Sequence, residues 1–177
     1  PHDGEAKGEV LTRAPWLTQS YFKEPEKGEE LWQGGWLHTG DVASMEPDNT
    51  LTIKDRIKDV IKTGGEWLSS LELEDRISRS PLVAEVAVVG IPDPRWDERP
   101  FALIVPAAGQ TVTADAMAEH LMPFVEEGHI NKWAIPRQIA VVTEIPKTSV
   151  GKLDKKRIRT EIAGWLDAGA ECISSLA

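Results

Sequence analysis

The sequence predicts an α+β fold: a small C-terminal domain with a short antiparallel sheet and helices, preceded by a β-rich segment that looks like the edge of a larger domain. Three observations carry this. Residues 1–55 are crowded with Gly, Pro and Trp and hold no amphipathic helix long enough to cover a sheet. After residue 60, short apolar runs alternate with helical patterns. Each of those helical patterns opens on a capping residue: Ser69, Thr113 or Asp154. The expected domains are therefore 1–55 and 56–177.

In the first segment, Glu9–Thr12 and Thr50–Lys54 are short extended pieces. Around them stand Ala14-Pro15, Glu24-Pro25, Gly34-Gly35, Thr39-Gly40 and Pro47-Asp48-Asn49 as turns. Alone, such a segment would struggle to close a core. In the second segment, Val60–Thr63 and Trp67–Ser69 flank Gly64-Gly65, a hairpin turn in which glycine supplies positive φ. Ser69 and Glu72 have capping-box spacing and open a helix with Leu73 and Ile77 on one face, stopped by Pro81. Glu85–Val89, Phe101–Val105 and Ile139–Val142 read as strands. Thr113 opens a second helix carrying Met117 and Leu121, which Pro123 should kink or end. Asp154 opens a last helix with Ile158, Ile162 and Trp165 at i, i+4 and i+7. Antiparallel strands with helices on one side are the economical packing.

The chain has 177 residues, enough to hide roughly 70% of its extended surface without staples. Hydrophobic residues make up 41% and charged residues 28%, a balance that excludes a membrane span or a disordered tail. The net charge of −9, from 20 Lys+Arg against 29 Asp+Glu, argues against binding nucleic acid or an anionic membrane. One cysteine, Cys172, builds neither an internal disulfide nor a thiolate zinc site, which suits a cytoplasmic location. Pro1–Val10 does not read as a signal peptide. Pro1 is not an initiator Met, so the chain is expected to be a piece of something longer.

Four segments could carry chemistry, and each also has a plain reading. In Gly35–Asp41, the Asp41 carboxylate after a Thr-Gly turn can accept hydrogen bonds from a vicinal diol such as a ribose, or it can cap the turn. Asp55–Lys62 alternates charges with aliphatics, as an edge strand guarded by lysines also does. In Thr63–Trp67, paired glycines let a ligand approach the backbone and Trp67 can wall a channel; a simple β-turn looks the same. Ile145–Asp154 reads as a mobile loop that presents Lys152 as a compact positive charge, or as an exposed helix entry. It is not a phosphate-cradling GxxxxGK[ST] loop, because Leu153 follows Lys152 and Gly151 lacks its partner five residues earlier.

In this order and at these intervals the segments resemble one family, the acyl-adenylate-forming enzymes, which include acyl-CoA synthetases, luciferases and peptide-synthetase adenylation domains. Gly8-Glu9-Val10 through Tyr21-Phe22 resembles the family's GE(L/I)…GY(W/F) element, with Ser20 in place of the usual Gly. The resemblance covers essentially the whole chain. Asp55–Glu72 and Pro146–Lys152 are its most specific parts. GGEWLSS and DPRWDERP look most like medium- and long-chain fatty acyl-CoA synthetases, with a methylthio-propionate CoA ligase close behind.

The resemblance implies that this is the C-terminal part of an ATP-dependent, AMP-forming acid–thiol ligase. It makes Asp41 the residue that holds the ribose hydroxyls and Arg56 a second nucleotide contact; Asp55 stands where many members have Gly. Lys58 takes the hinge position and touches the nucleotide, Lys62 and Trp67 line the nucleotide, and Gly64, Gly65 and Glu66 flank the CoA tunnel. Lys152 becomes the catalytic lysine that neutralises carboxylate and α-phosphate during adenylation. Implied partners are a carboxylic acid, ATP and CoA. Mg2+ would be held mostly by residues outside this chain, and a homodimer could form through the large domain. The phosphate loop and acyl pocket have no match here, so the isolated chain is expected to be inactive. A stand-alone, non-catalytic interaction module remains the alternative from another class.

Overall fold

The computed structural model describes residues 1–167 and the backbone of residues 171–172, so the side chain of Cys172 lies outside the described part. The chain divides into two compact units, Pro1–Lys58 and Asp59–Ala177.

The first unit is an antiparallel sheet of β1 (Lys7–Thr12), β2 (Leu37–Met45) and β3 (Leu51–Arg56), in that order. Asp48 and Asn49 make the β2–β3 turn. Asp48 Oδ1 accepts the Thr50 N–H at 2.9 Å, and Asn49 takes a left-handed φ of 68°, which asparagine tolerates. Only one short helix accompanies the sheet, α1 (Pro25–Leu31), and Gly28 is its one buried residue. The core is correspondingly thin: Leu37, Val42 and Ala43, with Ser44 and Asp55 as buried polar neighbours. Trp16, Tyr21, Phe22, Trp36 and Ile53 are left exposed.

The second unit begins with the hairpin β4 (Ile61–Thr63) and β5 (Glu66–Leu68). Ser69 then caps α2 (Ser70–Ser78) by accepting the Glu72 N–H at 3.1 Å. A long hairpin follows, β6 (Val83–Asp93) and β7 (Asp97–Pro106), paired from Val83↔Pro106 to Asp93↔Asp97. Both strands outrun the expected Glu85–Val89 and Phe101–Val105. The reason is Asp93, whose Oδ1 accepts the Arg95 and Trp96 N–H groups at 2.9 and 3.0 Å and turns a polar segment into a tight reversal. The chain continues through α3 (Ala114–Glu126), β8 (Gln138–Val141), α4 (Lys155–Thr160), α5 (Ile162–Asp167) and β9 (Glu171–Cys172).

Three expectations are corrected within this α+β unit. First, the sheet is not wholly antiparallel: β8 lies parallel to β7, from Phe101↔Gln138 to Ile104↔Val141. The α3 crossover between them makes that pairing reachable. Second, helices cover both faces. Val86, Val88, Ala102, Ile104 and Ile139 meet α2 and α3 through Leu73, Ile77, Met117 and Leu121. Ala87, Val89, Phe101, Leu103 and Ala140 meet α4 and α5 through Ile158, Ile162 and Trp165. Continuous apolar runs such as Phe101–Val105 require this, because neither side of the strand can face water. Third, Pro123 does not end α3. Phe124 and Val125 pack on the core and hold the last turn, with the Glu127 N–H donating to the Pro123 carbonyl at 3.0 Å. The last helix, by contrast, is two pieces, because Glu161 at φ −98°, ψ 13° interrupts it.

Candidate functional site

The ribose-type candidate lies in the first unit. Asp41 on β2 and Arg56 on β3 are cross-strand partners, and Arg56 Nε donates to Asp41 Oδ1 at 3.3 Å. A register shift between Val42 and Ala43 breaks the ladder just beside them, the usual way a strand re-aims a side chain. The turn before Asp41 is held from several sides. Thr39 Oγ1 donates to the Val10 carbonyl at 2.8 Å and accepts the Asp41 N–H at 3.1 Å. Gly40, at φ 71°, donates its N–H to Glu9 Oε1 at 3.1 Å. The other Glu9 oxygen lies 2.7 Å from His38 Nδ1, and that hydrogen bond raises the imidazole pKa above its ordinary 6.5. A half-exposed carboxylate with one oxygen on a guanidinium leaves the other free to accept from a diol.

In the second unit, Gly64 and Gly65 sit at φ 58° and 85°, the positive pair a tight two-residue hairpin demands. Lys62 and Trp67 are cross-strand partners, with Lys62 Nζ 5.9 Å from the indole centroid. Beneath the turn, the Gly64 N–H donates to the Trp96 carbonyl at 3.0 Å, and Trp96 stacks on Trp133 at 5.8 Å. Asn131 Nδ2 donates to the Glu66 carboxylate.

Lys152 stands on the connection between β8 and α4. This helix-entry segment closes on itself as a turn. Lys147 bridges Leu153, the Thr148 N–H donates to the Lys152 carbonyl at 2.7 Å, and the Asp154 N–H donates to the Pro146 carbonyl at 2.8 Å. The Lys152 side chain is exposed, and its ammonium has no hydrogen-bond or ion-pair partner among the described residues. Lys58 ends the first unit, exposed in the turn after β3.

The structure thus gathers the candidates into an Asp41–Arg56 pair, a Lys62–Trp67 hairpin and a separately braced Lys152. Sequence reading missed the Glu9–His38 pair and the Trp96, Asn131 and Trp133 seat of the glycine turn. No local signal pointed to the latter, since neither Trp96 nor Trp133 adjoins a glycine or a proline. No group of three or more His, Cys, Asp or Glu side chains among the described residues is placed to hold a metal ion.

Residues 72–152 match the AMP-binding enzyme C-terminal domain. A 3-methylmercaptopropionyl-CoA ligase of Ruegeria lacuscaerulensis is 44% identical over 91% of this chain and 29% of its own length. A long-chain-fatty-acid–CoA ligase of Thermus thermophilus is 41% identical over 93% and 30%. The solved o-succinylbenzoate CoA synthetase of Bacillus subtilis, in complex with its acyl-adenylate intermediate, superposes with a TM-score of 0.75 at 28% identity, over 90% of this chain and 31% of that one. The chain therefore spans about 30% of the length of the relatives it matches.

Proposed function

We propose that this chain, which carries the C-terminal domain of the AMP-binding enzymes, is the C-terminal part of an ATP-dependent, AMP-forming acyl-CoA synthetase acting on a medium- or long-chain fatty acid. The observation that carries the reading is the exposed Lys152 ammonium, held out on a closed turn with no partner among the described residues. In the first half-reaction a carboxylate oxygen attacks the α-phosphorus of ATP and the bond to the β-phosphate oxygen breaks, releasing pyrophosphate. Two anions meet in that step, and a placed cation lowers the barrier. Lys152 supplies it. In the second half-reaction the CoA thiol attacks the acyl carbon, loses its proton, and AMP leaves.

Asp41 accepts from the ribose hydroxyls while Arg56 orients its carboxylate and contacts the nucleotide, as Lys62 and Trp67 also do. Because Lys152 occupies the approach the thiol needs, a turn about Lys58 withdraws it and presents Gly64, Gly65 and Glu66 to the pantetheine arm. Mg2+ would be held mostly by residues outside this chain, where it would offset charge on the phosphates. The reading also carries a cytoplasmic location and a homodimer through the large domain; no helix among the described residues is long and apolar enough to cross a membrane.

A second reading has its own support. Two 3-methylmercaptopropionyl-CoA ligases, at 44% and 40% identity, favour a short thioether acid as substrate. Assaying the intact ligase with ATP, CoA and a series of acids decides between them. Acid-dependent release of AMP and pyrophosphate, with kcat/KM rising towards fatty acids of medium or long chain, is expected. A maximum at 3-(methylthio)propionate installs the second reading. Release of ADP and phosphate overturns both, and no acid-dependent turnover leaves the non-catalytic module.

A further inference from the structure

We infer that α4 is a strut that positions Lys152, through the ion pairs Glu74–Lys155 and Asp59–Arg159; this rests on the adenylation role given to Lys152 above. Lys155 Nζ lies 2.7 Å from Glu74 Oε1 and donates to Ser70 Oγ at 2.7 Å. The same Glu74 oxygen accepts the Val88 N–H at 2.8 Å. The two side chains are only 9% and 11% exposed. One contact point thus joins the first turn of α4 to α2 and to the middle of β6.

A buried ion pair is a poor way to gain stability, since an apolar pair of like volume does as well or better. What it offers is a single geometry: a lysine that must meet one carboxylate cannot slide along the sheet as a leucine can. That geometry reaches Lys152 directly. Only Leu153 and Asp154 separate Lys152 from Lys155, and Asp154 both caps α4, accepting the Arg157 N–H at 3.0 Å, and closes the Lys152 turn with its own N–H. One helical turn beyond Lys155, Arg159 Nη2 donates to Asp59 Oδ1 at 2.7 Å, with side chains 30% and 12% exposed. Asp59 directly follows the hinge candidate Lys58. The i, i+4 spacing puts both cations on one side of α4. One end of the helix is anchored beside the hinge and the other beside the lysine that must be delivered. Lys147–Glu85, at the far end of the turn, is exposed on both sides and is a weaker brace.

The test uses the intact ligase and reads two half-reactions, acid-dependent ATP–pyrophosphate exchange and CoA transfer from synthetic acyl-adenylate, alongside Tm. In the double variant Glu74→Gln/Lys155→Met, which leaves no lone buried charge, exchange is expected to fall about 10–100-fold, the scale on which a misplacement of about 1 Å acts. CoA transfer should stay within about twofold of the parent, because Lys152 acts only in the other half-reaction. Arg159→Leu, at a more exposed pair, should show a smaller loss confined to the same half-reaction, and it decides the matter if the double variant does not fold. Equal losses in both half-reactions, or unchanged exchange in every variant that folds while Lys152→Ala has lost it, overturns the strut. If Lys152→Ala itself keeps full exchange, the adenylation role falls first and the strut falls with it.

Discussion

At Asp41 and Lys152 the chemistry is set by what the neighbours leave undone. Asp41 has one oxygen engaged by Arg56, so it is aimed yet still able to accept. Lys152 has its backbone hydrogen-bonded into the turn and its ammonium without a partner among the described residues. Lys152→Ala in the intact ligase should therefore lower adenylate formation about 100-fold or more, the usual worth of one well-placed electrostatic group. CoA transfer from preformed adenylate should survive much better; equal loss in the two would remove the role. His38 makes a prediction about pH. Its pKa is raised first by the hydrogen bond to Glu9, so the charged pair is complete below the unfolded value of about 6.5. Its contribution to the turn before Asp41 is lost as pH rises through the higher folded value. Titration of the His38 ring protons by NMR should give a midpoint above 6.5, and Glu9→Gln should return it towards that value. A midpoint that Glu9→Gln leaves unmoved would disconnect the pair.

Elements were legible where one local rule decides them. The caps at Ser69, Thr113 and Asp154 each accept the N–H three residues on, because that geometry needs only the residue and its own turn. The Gly64-Gly65 hairpin was legible for the same reason. What stayed hidden depends on distant partners. Nothing within Ile139–Val142 says that it will lie parallel to β7, and Lys155 meets Ser70 across 85 positions of sequence. Asp41 and Lys152 were visible as candidates, but the Arg56 contact and the closure of the Lys152 turn came only from pairing and packing. The glycine turn shows how the two kinds of information combine. A Cβ at Gly64 would stand 3.0 Å from Trp96 Cε3, whereas one at Gly65 meets nothing within 4 Å. Both positions carry positive φ, which costs a non-glycine residue about 1–2 kcal/mol. Gly64→Ala should therefore lower Tm in calorimetry more than Gly65→Ala, since only it must also displace the Trp96 ring. Equal shifts would mean that Trp96 yields freely and does not seat the turn.

For the molecule as a whole, the two units differ in how much they can do alone. Asp59 onward holds a sheet covered on both faces, whereas Pro1–Lys58 has a three-stranded sheet over a thin core and exposed aromatic side chains. The former should fold as an isolated fragment with a cooperative thermal transition, and the latter should not. Lys58, at the boundary, is where a conformational swing would be blocked by fixing φ: Lys58→Pro in the intact ligase should retain adenylation and lose CoA transfer, the mirror image of Lys152→Ala. If thioester formation survives, the hinge lies elsewhere. The 177-residue chain itself should bind ATP feebly and release no pyrophosphate with any carboxylic acid. Asp41 and Arg56 can hold a ribose, but the sequence has no glycine-rich phosphate cradle, and the described residues hold no metal-binding cluster to bring Mg2+ to the phosphates. Each missing charge-assisted hydrogen bond forgoes about 1.5–3 kcal/mol, so the ribose contacts alone fall well short of fixing a triphosphate. Calorimetric titration of the chain with ATP and Mg2+ measures this directly. Micromolar binding would mean that a complete nucleotide site is built from these residues, and the assignment of the phosphate contacts to a longer ligase would then be wrong.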